Sequence, residues 1–247
     1  MKFAKASENP PQKPEGRILL IDDDNAQRHV LQTTLVSAGF KVTEVATGEE
    51  ALALARMLKY DVVLLGICMP GKKGIEICRH LRRHFPRLGI LMLGNSEAED
   101  GMIEAALDSG ADGYISKPLR MRVLLAHVRA ATRRAKTSLS ADDAPLQVGE
   151  IELLPTKRQV YRSKVQIHLT PKEFDVLYYL MAHSGKPISH AELLGAVWGP
   201  DHVDRVEYLR TFIRQLRKKL EEDAGAPQYI LTQSHIGYRF GGEENRT

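Results

Sequence analysis

Three consecutive carboxylates, Asp22, Asp23 and Asp24, follow the apolar run Arg17–Ile21, and a Lys117-Pro118 pair follows another short run much later in the chain. Carboxylates clustered at a strand end favour a divalent cation, and Mg²⁺ typically uses one or two of them together with a phosphate. Between the acids and the lysine lies DVVLLGICMPGKKG, Asp61–Gly74. Its first five residues have the composition of a strand buried on both faces. The run breaks at Gly66, and Pro70, Gly71 and Gly74 make the next stretch a loop. In open α/β sheets, ligands and reactions sit just past the carboxyl ends of the strands, so position 66 is the natural place for chemistry. Glycine there has no side chain with which to attack or chelate.

The elements that would position these residues alternate strand and helix five times. Strands are expected at Arg17–Ile21, Lys41–Ala46, Asp61–Leu65, Gly89–Leu93 and Gly113–Ser116. Helices are expected at Asn25–Ser37, Gly48–Lys59, Gly74–Phe85, Ser96–Ser109 and Met121–Lys136. This alternation specifies a parallel sheet with helices on both faces, in the flavodoxin-like order 2-1-3-4-5. Residues 1–16, polar and Pro-rich, read as a disordered tail, and 137–145, TSLSADDAP, as a linker. The first unit then spans 17–136 and a second unit 146–241.

The second unit has a different period. Strand-like runs at Leu146–Leu153, Arg158–Arg162 and Val165–Leu169 precede Thr170-Pro171-Lys172-Glu173, a helix start with an N-cap threonine, Pro at N1 and Glu at N3. Helices are expected from there to about His183, over Ser189–Val197 and over Val203–Glu222; Tyr229–Thr232 and Tyr238–Phe240 read as a hairpin. Helix, helix, longer helix and hairpin make a winged helix-turn-helix. Within Val206–Leu220, Leu209, Ile213, Leu216 and Leu220 form a buried stripe at helical spacing. Arg210, Arg214, Arg217, Lys218 and Lys219 face only Glu207 in that helix, whereas the whole of 146–247 has 14 basic and 13 acidic residues, a net of only +1. A basic helix face is often plain solvated surface, but here the neighbouring elements favour a nucleic-acid role.

The first half resembles a response-regulator receiver domain through its strand-end acids, the MPG…G loop and Lys117-Pro118. The second resembles the OmpR/PhoB-type effector domain through LTPKEFDVLYYL, VWG, LRKKLE and GYRF. GPDHVDR and VEYLRTFIRQLRKKLE match the KdpE branch best. The resemblance implies that Asp22 and Asp23 are metal-binding acids, that Lys117 approaches an acyl phosphate, and that Tyr114 is the aromatic that turns inward on activation. Gly66 stands where the family has its phosphoacceptor aspartate. Gly94 stands where it has a Ser or Thr, although a slip of that match to Asn95 or Ser96 stays open. The receiver therefore resembles one that cannot form an aspartyl phosphate. With a ligand missing, it holds Mg²⁺ at Asp22 and Asp23 weakly, if at all, and no resident cofactor is expected. A phosphate carried by Asp22 or Asp23 instead is an alternative; Asp61 is at the wrong end of its strand.

By the same resemblance, Arg210, Thr211, Arg214 and Gln215 enter the major groove of double-stranded DNA, Arg217 touches phosphate, and the wing residues Ser234, His235 and Tyr238 approach the minor groove or backbone. Ser234-His235 replace the family's Arg-Gly, which puts the turn geometry in question. Asp112, Val123, His127 and Arg134 fall on the face through which the family forms homodimers. The loop Trp198–Arg205 matches the segment facing RNA polymerase. A sensor kinase is admitted as a further partner.

Composition fits a soluble protein, with 43% hydrophobic and 27% charged residues and a net charge of +4. There is no run long enough to span a bilayer, and the chain is expected in the cytoplasm. Cys68 and Cys78, the only cysteines, give no disulfide framework and are expected as apolar filler rather than a redox pair. The expected protein is a DNA-binding transcription regulator, not an enzyme, active without aspartyl phosphorylation. The rival is a protein-interaction module in which DNA binding is secondary.

Overall fold

The computed structural model describes residues 14–69, 74–95, 100–136, 144–199 and 202–241. Most of the tail and linker expected from the sequence, the Pro70-Gly71 turn and the start of the fourth helix at 96–99 lie outside the described residues.

The first unit is a five-stranded parallel sheet, β1 (Arg17–Ile21), β2 (Lys41–Val45), β3 (Val62–Gly66), β4 (Gly89–Asn95) and β5 (Gly113–Lys117), ordered β2-β1-β3-β4-β5. Interleaved are α1 (Asn25–Ser37), α2 (Gly48–Met57), α3 (Gly74–His84), α4 (Asp100–Asp108) and α5 (Met121–Lys136). The period of two along the strands builds two core layers. Leu19, Ile21, Val63 and Leu65 pack one face against α2 and α3, while Ile18, Leu20, Val62 and Leu64 pack the other against α1 and α5. The third acid of the Asp triplet, Asp24, caps α1, its carboxylate accepting from the backbone of Ala26 and Gln27.

The second unit opens with a four-stranded antiparallel meander, β6 (Leu146–Val148), β7 (Ile151–Leu154), β8 (Gln159–Arg162) and β9 (Val165–Ile167). The single strand expected over Leu146–Leu153 is two strands, because Gly149 adopts a positive φ of 57° and folds the run into a hairpin. Then come α6 (Pro171–Ala182), β10 (Ile188–Ser189), α7 (His190–Trp198), α8 (Val206–Leu220), β11 (Ile230–Gln233) and β12 (Gly237–Phe240). The Thr170/Glu173 capping box of α6 forms as expected. The next helix starts one residue later than its sequence suggests, because Ile188 and Ser189 pair with β12 while Ser189 also caps α7. Likewise α8 begins at Val206 and not at Val203, since His202–Arg205 close a turn.

The two units are packed together. Tyr208 and Phe212 of α8 and the half-buried Trp198 of α7 join the hydrophobic cluster that lies over β3, β4 and β5.

Candidate functional site

At the carboxyl edge of the sheet, Asp22 is buried and fully engaged. Its Oδ2 accepts from Gln27 Nε2 at 2.9 Å and lies 3.6 Å from Lys117 Nζ; its Oδ1 accepts from the Asp24 backbone N–H at 3.0 Å. Lys117 supplies the compensation that two neighbouring acids require. Asp23 is exposed, and Arg28 binds the carbonyls of Asp22 and Asp23 rather than their carboxylates. Gly66 ends β3 facing Asp22; a Cβ placed on it would lie 3.1 Å from Asp22 Oδ2. Among the described residues no group of three or more His, Cys, Asp or Glu side chains is arranged to hold a metal ion. A cation at this edge would meet Asp22, whose oxygens already accept from Gln27 and the Asp24 amide beside Lys117, and the exposed Asp23, with no third carboxylate at Gly66.

Gly94 and Tyr114 form a matched pair. Tyr114 is buried beside β4, and its hydroxyl donates to the carbonyl of Asn95 at 3.1 Å. A Cβ on Gly94 would sit 2.0 Å from that hydroxyl, so a serine or threonine at 94 and an inward Tyr114 exclude each other. The sheet register sets Gly94 opposite Ser116 and Asn95 opposite Lys117, so neither position brings a hydroxyl to the lysine; Ser96 is outside the described residues. The Lys117-Pro118 bond is cis. Cys78 is buried within the core, where burial pushes its thiol up to about 11, in keeping with the filler role; Cys68 is exposed.

The helix expected to read DNA is built as its periodicity implies, with Leu209, Ile213, Leu216 and Leu220 buried in the effector core. Its basic face, however, is turned onto the receiver. Arg214 pairs with Asp108, 2.8 Å from Oδ2 and 2.9 Å from Oδ1, and with Glu104, both on α4. Gln215 Nε2 donates to the Leu107 carbonyl at 3.1 Å and to Asp108 at 2.8 Å. Thr211 is buried and donates to the Glu207 carbonyl. Arg210 stays exposed and pairs with Glu207 of its own helix. Arg217 is given to structure, with its guanidinium on the Ile230 carbonyl at 2.6 Å and the Thr232 hydroxyl at 2.8 Å, and above the Tyr238 ring. In this arrangement two of the four expected base-contacting side chains are held by α4.

The same closure covers the face expected to form dimers. Asp112 is buried on its own chain, accepting from Arg82 at 2.7 Å, from the Ile90 amide at 2.8 Å and from the Lys172 amide of α6 at 3.3 Å. The Tyr208 hydroxyl accepts from the Tyr114 amide at 2.7 Å, and burial pushes that phenol far above its usual range. The Trp198 indole donates to the Asp112 carbonyl at 3.4 Å. Val123 is half-buried and lines a cavity between the units, and the His127 ring lies 4.5 Å from that of His202. The side chain of Arg134 lies outside the described residues. Burial, with Arg205 and Lys172 adding to it, lowers His202 to about 4. The sequence signal for this interface was present: Tyr208 and Phe212 make a second apolar stripe on α8, one turn apart, that the effector core does not use.

At the wing, Ser234, His235 and Ile236 are exposed between β11 and β12. His235 adopts φ +64°, the left-handed conformation a glycine would take, so the turn keeps its shape without glycine. Tyr238 is buried, its main chain paired with Ile188.

A parallel receiver sheet followed by a winged helix with a basic third helix defines a two-component response regulator that acts on transcription. The family description "Response regulator receiver domain" matches residues 18–129, and "Transcriptional regulatory protein, C terminal" matches residues 164–240. The chain belongs to the OmpR/PhoB family of response regulators, which are transcription regulators and not enzymes. It is 36% identical over 223 residues to the KDP operon transcriptional regulatory protein KdpE of Escherichia coli (strain K12), covering 90% of this chain and 98% of that one. It is 33% identical over 231 residues to the alkaline phosphatase synthesis transcriptional regulatory protein PhoP of Bacillus subtilis (strain 168), covering 91% and 96%. Among solved structures, a RitR mutant shares 28% identity at a TM-score of 0.76, covering 92% of this chain and 100% of that one. No helix among the described residues is long and apolar enough to cross a membrane.

Proposed function

We propose that this regulator is a gated DNA-binding protein whose gate is not an aspartyl phosphate. The observation that supports the reading is the grip of Asp108 on both Arg214 and Gln215, two of the side chains expected to enter the groove. The reading is supported by the glycine at 66, by the contacts that already occupy Asp22 and by the inward Tyr114 over Gly94, which fills the space the usual switch needs. Opening releases α8 to a half-site in duplex DNA, and frees the α4-β5-α5 face for a homodimer on repeated half-sites. The loop around His202–Arg205 then faces RNA polymerase. The protein works in the cytoplasm, without a bound metal, and a sensor kinase, where one engages it, acts by docking rather than by phosphorylating position 66. The likeness to the RitR mutant, a TM-score of 0.76 over 92% of this chain, is in keeping with the closed arrangement. Unphosphorylated chain still binds DNA, but only by the fraction that has let go of α4.

Incubation with acetyl phosphate or beryllofluoride and Mg²⁺, followed by sedimentation and footprinting, tests this. The expected result is an unchanged dimer population and an unchanged footprint. A phosphodonor-dependent gain in either would overturn it.

A further inference from the structure

The closed form has an open cleft of about 500 Å³ between the end of β5, the start of α5 and the turn before α8, with Arg120 and Arg205 exposed at its rim. Its charged lining among the described residues is cationic, Lys117 and Arg120 from the receiver and Arg205 from the effector, beside Ser116 and Tyr114 and with His127 and His202 facing each other across the join. Arg120 and Arg205 have no carboxylate partner among the described residues, and the one partner of Lys117, Asp22, is 3.6 Å away. His202 is only 6% exposed, yet its Nδ1 has no hydrogen-bond partner. A buried polar atom left unsatisfied is costly, and so is bringing like charges together across a domain join. Ile115 and Val123 give the same cavity an apolar wall.

We propose that this cavity is a binding site for a phosphorylated small molecule, of about the size of a nucleoside monophosphate, that stabilises the closed form. A phosphoryl group presents several oxygens to guanidinium forks from two domains and offsets more than one of the cations; a lone carboxylate would leave most of the charge unbalanced. The apolar wall takes the body of the ligand. Pockets of this volume at domain joins are common ligand sites. Because the walls come from both units, the ligand binds only when they are together. Its binding must therefore weaken DNA binding by mass action, reciprocally. The inference rests on the closed arrangement proposed above.

The test uses the full chain with two probes, inorganic pyrophosphate and adenosine 5′-monophosphate, in titration calorimetry, and then in DNA-binding assays. Saturable one-to-one binding by at least one probe is expected. It should weaken at least tenfold in Arg120→Glu with Arg205→Glu, weaken in the milder Arg120→Gln with Arg205→Gln pair, and persist in Arg56→Glu with Lys59→Glu, which makes the same charge change elsewhere. At ten times its dissociation constant, the bound probe should weaken DNA affinity about tenfold. Absence of saturable binding, or equal loss in the Arg56/Lys59 control, would overturn the site. Site-specific binding that left DNA affinity unchanged, or tightened it, would overturn its link to closure instead.

Discussion

The buried hydrogen bond between the Tyr208 hydroxyl and the Tyr114 amide allows the strength of the gate to be probed with one oxygen atom. In Tyr208→Phe the aromatic ring stays, and so does its packing with Phe212 and Trp198. What is lost is the acceptor 2.7 Å from an amide on the outer edge of β5. In the closed form that N–H is then buried without a partner, which costs about 1–3 kcal/mol; in the open form water reaches it and nothing is lost. Closure is weakened by that amount, a shift of roughly fivefold at the low end and above a hundredfold at the high end. Apparent DNA affinity should tighten by the same factor until the open form predominates. Asp108→Ala removes a contact between half-exposed partners, typically worth about 0–1 kcal/mol, so its effect should be less than roughly fivefold. Fluorescence anisotropy on a duplex chosen by footprinting the untreated protein reads both variants, with thermal melting to confirm folding. If Tyr208→Phe folded normally and left DNA affinity unchanged or lowered it, the hydroxyl would not be part of a gate, and the reasoning would fail.

Three further outcomes are expected. Gly94→Ser forces Tyr114 out of its site and should cost about 1–3 kcal/mol in denaturant melts, with much of the loss absent when Tyr114→Ala is combined with it. Gly66→Asp sets a second carboxylate against Asp22, so the variant should melt lower than the parent at neutral pH and regain stability on adding Mg²⁺, whereas the parent should show little response to Mg²⁺. His202, lowered from 6.5 to about 4 where it is buried against the receiver, binds fewer protons closed than open across that window. The closed form should therefore lose stability as pH falls from about 6.5 toward 4 in buffer free of phosphorylated anions, and His202→Gln should flatten that dependence of DNA affinity.

Much of this fold was legible because its signals are local. Runs such as RILLI and VVLL, short and bounded by breaks, read as buried parallel strands, and the capping box at Thr170 announces α6 in four residues. The strand pair β6–β7 reads as one in the sequence because a single glycine, Gly149, inside an apolar run is a weak turn signal. The glycines at 66 and 94 are visible in the sequence, but the reason for Gly94 is not: only the fold shows that the Tyr114 hydroxyl fills its side-chain space. The basic face of α8 was legible as a surface, but what covers it was not. Arg214 and Asp108 are far apart in the chain, and an ion pair at that separation leaves no periodic trace. The one available clue was Tyr208 and Phe212, apolar residues on a helix whose core stripe was already complete. Charge at the ends of two different domains, such as Arg120 and Arg205, carries no signal at all until the domains are brought together.

The most direct test of the gate uses Trp198, the single tryptophan of the chain, whose indole donates to the Asp112 carbonyl across the domain join. Titrating specific DNA into the unmodified protein should shift its emission to longer wavelength and raise its access to acrylamide, both tracking the DNA-binding isotherm. DNA binding that saturates while Trp198 emission and quenching stay at their free-protein values would contradict the claim that α8 must leave the receiver to read DNA.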